Sequence, residues 1–260
     1  MKRRGKHAKK VRKIRASILL VFSIILIGCI IYVGYNLYGK YKDKKDNTDI
    51  LATVKIDEEK VSEDVTKRMI QLKELRKENS EIIAWIEIEG TNISYPVCQT
   101  DNNQFYLDHN YKKESSQSGS LFLDKDFDLQ NGSSNYLIYG HRNQQGLMFE
   151  DLLKYKEKEF YKKHKKIKFT TEKEDSMYEI LAVFYSRVYY KSEKNVFRYY
   201  YFVNANNEQE YNEYVENSKK ASLYDTGVTA SFKDQLLTLS TCEYSQEDGR
   251  FVVVARKAEN

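Results

Sequence analysis

The chain has 260 residues, with 43 Lys and Arg against 38 Asp and Glu, 3 Cys and a single Pro. At 41% hydrophobic it is not compositionally disordered, and three cysteines are too few for a disulfide scaffold. The net charge of +5 suggests a nucleic-acid binder only until it is located: nine of the cations lie in residues 1–15 with no acid among them, which leaves 34 basic against 38 acidic residues, or −4, for the rest. The basicity belongs to a tail, and nucleic acid is excluded as a partner.

The segment after the tail accounts for its charge. Ala16 to Leu37 is a run of 22 residues without a charge, rich in Ile, Leu and Val. As a helix it would extend roughly 33 Å, enough to cross a hydrocarbon core of about 30 Å. Tyr32, Tyr35 and Tyr38 stand at its far end, where amphipathic rings favour the membrane interface. With nine cations before the span and a mixed set after it, the positive-inside rule makes the N-terminus cytoplasmic and leaves roughly 220 residues outside. Leu26-Ile27-Gly28-Cys29 offers a bacterial lipobox as an alternative, but the apolar run continues through Ile30, Ile31, Tyr32 and Val33, which favours an uncleaved anchor. The expected organisation is a basic cytoplasmic tail (1–15), a transmembrane anchor (16–38), a juxtamembrane linker (39–56) and one extracellular domain (57–260).

Between Glu58 and Asn79, apolar residues at Val61, Val65, Met69, Leu72 and Leu75 predict a helix packing one stripe on the domain. The period then changes. Ile82–Glu89 and Ile93–Cys98, separated by Gly90-Thr91-Asn92, predict a β-hairpin. Ser120–Leu123, Tyr136–Tyr139, Lys166–Thr170, Tyr178–Tyr189, Gln235–Thr241 and Arg250–Ala255 add short β-rich runs, with helical patterns at Leu147–Lys154 and Asn207–Ala221. Seven or eight strands with only two inserted helices fit a mainly β fold, a mixed or antiparallel barrel, better than alternating βαβ units.

Cys242 ends one strand-like run and Arg250 opens the next. If the two pair as a hairpin, the guanidinium stands beside the thiol, where it would favour a thiolate or an oxyanion on a carbonyl the sulfur attacks. A nucleophilic Cys also needs an acid–base partner, usually His. Of four histidines, His7 lies in the tail and His164 in a lysine-rich stretch. His109 and His141 remain, the latter emerging from Tyr136-Leu137-Ile138-Tyr139-Gly140 at a strand end, where positioned catalytic groups often sit. The tyrosines of Tyr189-Tyr190 and Tyr199-Tyr200-Tyr201 are expected on strands and surface, or lining a groove.

Thr238-Leu239-Ser240-Thr241-Cys242 with its following Arg, together with Asn135–His141, resembles the sortases, cysteine transpeptidases anchored on Gram-positive cell surfaces. The likeness extends over residues 58–256, and the N-terminal helix and the helix Asn207–Ala221 are similar to class B members. The resemblance implies a closed eight-stranded barrel with an N-terminal helical extension and a helix before the cysteine strand, all behind one transmembrane helix. It makes Cys242 the nucleophile, His141 the acid/base and Arg250 the oxyanion-side cation, helped by the backbone N–H of Glu243. Asn103, Leu107 and Ser240 would line the peptide groove. The implied partners are surface proteins with an NPxTx-like C-terminal sorting signal and a peptidoglycan or lipid II amine; no cofactor is implied.

Other chemistries fit less well. Asp124-Lys125-Asp126-Phe127-Asp128 opens like an EF-hand loop, but position six would be Leu129 and position twelve Asn135, which argues against calcium. Cys98 and Cys242 form no paired zinc spacing, and Cys98 is expected in the core. A peptidoglycan L,D-transpeptidase would place a His just before the Cys, where Ser240-Thr241 stands. The alternatives left are a non-catalytic, membrane-tethered binding module and a class C-like, pilin-polymerising sortase.

Overall fold

The computed structural model describes residues 2–50, 66–143 and 146–259. It divides into two compact units, Met1–Lys45 and Asp46–Asn260. Helix α1 (Lys2–Asp49) is continuous, with no proline to interrupt it, so the charged segment from Lys40 onward, expected as linker, is helical to Asp49. Within Ser17–Asn47 its apolar window has a mean hydropathy of 2.7 and is wholly unburied, long and apolar enough to cross a membrane. The predicted helix from Glu58 is described from Thr66 onward, as α2 (Lys67–Glu78); Val61 and Val65 lie outside the described residues.

Helix α2 starts where the Thr66 hydroxyl accepts the Met69 N–H and buries Met69, Leu72 and Leu75 on one stripe. It covers β1 (Ile82–Glu87), where Leu72, Leu75, Trp85 and Cys98 share a core cluster. Arg68 lies 4.4 Å from the Trp85 ring centroid and pairs with Glu87 at 2.6 Å, closing the edge of that contact.

The remaining elements come in chain order as β2 (Ser94–Cys98), β3 (Leu121–Leu123), β4 (Asn135–Gly140), β5 (Arg142–Asn143), β6 (Leu147–Met148), α3 (Lys158–Lys163), β7 (Lys166–Thr171), β8 (Asp175–Arg187), α4 (Glu208–Ala221), β9 (Leu236–Cys242) and β10 (Gly249–Lys257). Eight of the strands close a barrel in the order β1-β2-β3-β4-β9-β10-β8-β7. It is mixed: β2–β3 and β4–β9 are parallel and the other neighbours antiparallel. Every predicted strand is present, and closure leaves the barrel itself without an edge strand.

The sequence of β9 explains its central place. Leu236, Leu237 and Leu239 are fully buried, and the hydroxyls of Thr238 and Ser240 meet partners from outside the strand. Thr238 donates to Asn135 Oδ1 (2.9 Å) and bonds Tyr214 of α4 (2.7 Å), while the Ser240 and Tyr199 hydroxyls lie 2.6 Å apart. Helix α4, capped by Asn207, buries Tyr211, Tyr214, Val215 and Ser218 at helical spacing and so brings the Tyr214 hydroxyl in.

One predicted helix is corrected. Leu147–Lys154 is not helical throughout: Leu147–Met148 pairs with β5, and a 3₁₀ turn spans Glu150–Lys156. The Phe149 N–H donates to the His141 carbonyl at 3.0 Å, which folds the chain back onto the end of β4 before a helix can start. The short α3 carries no clear sequence signal, because its lysines leave too little apolar periodicity.

Gly140 is required by packing. A Cβ there would stand 2.3 Å from Leu121 Cδ2 and 2.7 Å from Phe149 Cδ2, both on fully buried side chains. Gly140→Ala is expected to destabilise the domain by about 1–3 kcal/mol through overpacking, read as a lower thermal midpoint in near-ultraviolet circular dichroism; an unchanged midpoint would contradict this packing.

Candidate active site

Strands β4 and β9 run parallel with Gly140 opposite Thr241, so the next residue of each, His141 and Cys242, emerges at the same rim of the barrel. Strand β10 returns antiparallel with Arg250 opposite Cys242. His141, about a hundred residues before Cys242 in the chain, thereby stands beside Cys242 and Arg250 at the ends of adjacent strands. All three are partly exposed and line one cleft of about 260 Å³.

The electrostatics of the cleft favour a charged pair. Hydrogen bonding between His141 and Cys242 does most to raise the imidazole pKa above its ordinary value and to lower that of the thiol. Burial opposes both shifts. The Leu107 carbonyl accepts from His141 Nε2 at 2.8 Å and adds to the first shift; the Arg250 guanidinium adds to the second while drawing the imidazole down. Together these contacts bias the dyad toward thiolate and imidazolium.

Arg250 Nη1 donates to the carbonyls of Asp248 (3.2 Å) and Gly249 (2.8 Å), and no carboxylate pairs with it among the described residues. Its charge is therefore held next to the sulfur without being neutralised. Cys98 is the opposite case: it is fully buried in β2, and burial, the main cause, pushes its thiol up to about 12.

Asn103, Leu107 and Ser240 also line the cleft. Asn103 is fixed by its amide, which donates to Asp124 Oδ2 (2.9 Å) and accepts from the Lys125 N–H (2.8 Å). Glu243 does not take the place expected of it. Its N–H donates to the Gly249 carbonyl at 2.9 Å, extending the β9–β10 ladder, and so is not presented to an oxyanion. Its carboxylate is turned toward Ser245, whose N–H it accepts at 3.0 Å, with Arg142 at 3.9 Å.

His109 lies outside the cleft, stacked on Phe105 at 4.1 Å with Nδ1 2.6 Å from Asp108. His164 packs against Phe160 and lines a separate lysine-rich depression. Gly140, Tyr199 and Tyr200 also line the cleft, the two tyrosines as one of their expected places; Phe122, Tyr139, Thr241 and Val188 complete it and are not singled out as groove residues by the sequence. Tyr139 and Thr241 could be found by their position, each one or two residues before a candidate catalytic group. Phe122 and Val188 carry no such signal.

Comparison with known proteins agrees with this geometry. The sortase-domain family model matches residues 86–258. The chain is 31% identical over 241 residues to sortase B of Staphylococcus aureus, covering 92% of this chain and 96% of that protein. It is 30% identical over 246 residues to sortase B of Listeria monocytogenes, covering 93% and 97%. Among solved structures, a Staphylococcus aureus sortase B–substrate complex superposes with a TM-score of 0.70 at 28% identity, covering 86% of this chain and 98% of that one.

The contrast between the two domain thiols can be measured. Iodoacetamide should modify Cys242 with a midpoint pH below that of a free cysteine and leave Cys98 untouched in the folded chain. His141→Ala removes the largest lowering influence on Cys242, so the rate–pH curve should move to higher pH. A curve that stays in place would refute the coupling.

Proposed function

The chain belongs to the sortase family of cysteine transpeptidases, and from that premise we propose that it is a class B-type enzyme acting on an NPxTx-like sorting signal. It cleaves after the Thr of that signal and passes the acyl group to a peptidoglycan or lipid II amine. The observation that carries the reading is the His141–Cys242 dyad, biased toward its ionised form, with Arg250 in register beside it.

The chemistry derives from these groups. The Cys242 thiolate attacks the Thr carbonyl carbon, and the negative charge moves to the carbonyl oxygen. Arg250 stabilises that oxyanion, a task left to the side chain because the Glu243 N–H is spent on the strand ladder. His141, as imidazolium, protonates the departing amine as the C–N bond breaks, which leaves a thioester and a neutral imidazole. The acceptor amine then attacks the thioester and yields a proton to His141, and collapse of the second intermediate expels the thiolate. One amide is broken, one is formed, and no water, metal or organic cofactor is consumed.

Asn103, Leu107 and Ser240 serve this reaction as part of the peptide groove, and Leu107 also orients the imidazole through its carbonyl. Helix α1 supports membrane anchoring. Its basic N-terminus supports a cytoplasmic tail and an extracellular catalytic domain, where sorting substrates and wall precursors meet. The near full-length likeness to class B relatives favours wall attachment over pilin polymerisation.

A quenched peptide containing Asn-Pro-X-Thr should be cleaved, and hydroxylamine should raise turnover by intercepting the thioester and giving a Thr hydroxamate. Cys242→Ala should abolish cleavage, and Arg250→Ala should lower kcat roughly 10²–10³-fold, as loss of an oxyanion donor does. Cleavage that persists in Cys242→Ala would overturn the mechanism.

A further inference from the structure

The walls of the cleft come from separate pieces of chain, and one buried carboxylate outside the cleft joins two of them. Asp124, just after β3, is 4% exposed. Its Oδ2 accepts from the Tyr139 hydroxyl (2.9 Å) and from Asn103 Nδ2 (2.9 Å), and its Oδ1 accepts the Asp126 N–H (2.9 Å). Both side chains held on Oδ2 line the cleft. The backbone reinforces the link: the Lys125 N–H donates to Asn103 Oδ1, and Gln99 Nε2 donates to the carbonyls of Asp124 and Phe127 at 2.9 Å each.

The two elements tied in this way carry the histidine and its support. Tyr139 stands two residues before His141 on β4. Asn103 belongs to the segment that ends in Leu107, whose carbonyl receives His141 Nε2. The residue type is dictated by hydrogen-bond sign. Three donors converge on the side chain at position 124, and a carboxylate is acceptor only, whereas an amide there would turn one donor against another. A charge buried to this degree is tolerated because each contact is charge-assisted.

We propose that Asp124 is a positioning residue for substrate binding, holding Asn103 and Tyr139 in the arrangement that receives the sorting peptide. This rests on reading the cleft as the transpeptidase site. Asp124 touches neither sulfur nor imidazole, so its contribution falls on recognition of the peptide and not on the reactivity of the thiol.

The test uses the full chain in detergent, with Asp124→Asn and Tyr139→Phe singly and together. Kinetics are followed with a quenched Asn-Pro-X-Thr peptide. Asp124→Asn should raise KM roughly tenfold, the loss expected from one unsatisfied buried donor, with kcat and the pH profile of Cys242 alkylation close to wild type. Tyr139→Phe should raise KM less, and the double variant should be no worse than Asp124→Asn alone, because the two share one contact. Hydrogen exchange over residues 99–107 should quicken in Asp124→Asn while the β8–β10 ladder stays protected. Unchanged KM in Asp124→Asn, or an alkylation profile that moves with it, overturns the proposal. Unchanged exchange over residues 99–107 overturns it whether or not the peptide is cleaved, whereas a wild-type chain that leaves the peptide intact counts against the transpeptidase reading alone. Should Asp124→Asn fail to fold, the Tyr139→Phe and Asn103→Ala cycle decides: coupled effects on KM support the shared carboxylate, and additive effects exclude it.

Discussion

The parallel pairing of β4 with β9 is the constraint on which the rest of the molecule depends. Parallel neighbours end at the same rim, so the register that sets Gly140 against Thr241 also sets His141 against Cys242. A slip of one residue would turn the thiol to the opposite face of the strand. Much of the surrounding structure serves this register: the three buried leucines of β9, the Thr238–Asn135 bond across the pair, and the Tyr214 and Tyr199 hydroxyls that meet those of Thr238 and Ser240. The juxtaposition of His141, Cys242 and Arg250 comes from strand geometry and does not rely on a flexible loop finding its place.

The barrel wall also sorts its thiols by environment. Cys98 and Cys242 both end strands, yet one is sealed among apolar side chains and the other meets an imidazole and a guanidinium. The β9–β10 hairpin contributes a second division of labour. Its ladder extends past Cys242 through the Glu243–Gly249 bond, which holds Arg250 firmly in register but removes the nearest amide from the site. The cation beside the sulfur is consequently a side chain anchored on two carbonyls of its own hairpin.

The strands are legible in the sequence because alternation and β-branched runs are local signals. Strand ends single out Cys242, Arg250 and His141 as candidates but leave His109 beside His141; the resemblance of Thr238–Cys242 and Asn135–His141 to the sortases is what selects the set. Three features are not legible. The Glu243 amide escapes a sequence reading because the length of a strand ladder depends on its partner, here Gly249, and not on the residue itself. The segment after His141 reads as helix by spacing, but a single backbone bond from Phe149 decides otherwise. Asp124 resembles the first ligand of a calcium loop, and only tertiary structure brings Asn103 and Tyr139 to its carboxylate.

The order of the strands around the barrel has a consequence for the birth of the protein. His141 and Cys242 are about a hundred residues apart in the chain, and the strand carrying Arg250 is the last of the described strands. Contacts of such high sequence separation form late, since the intervening loop must be closed before they contribute. A nascent chain emerging N-terminus first can fold α2 and the β1–β2 hairpin early, but Cys242 meets its imidazole only when β9 pairs with β4, and its guanidinium only when β10 follows. Assembly thus works as a timer: the sulfur acquires its two charged neighbours only when β9 and β10 have joined the barrel.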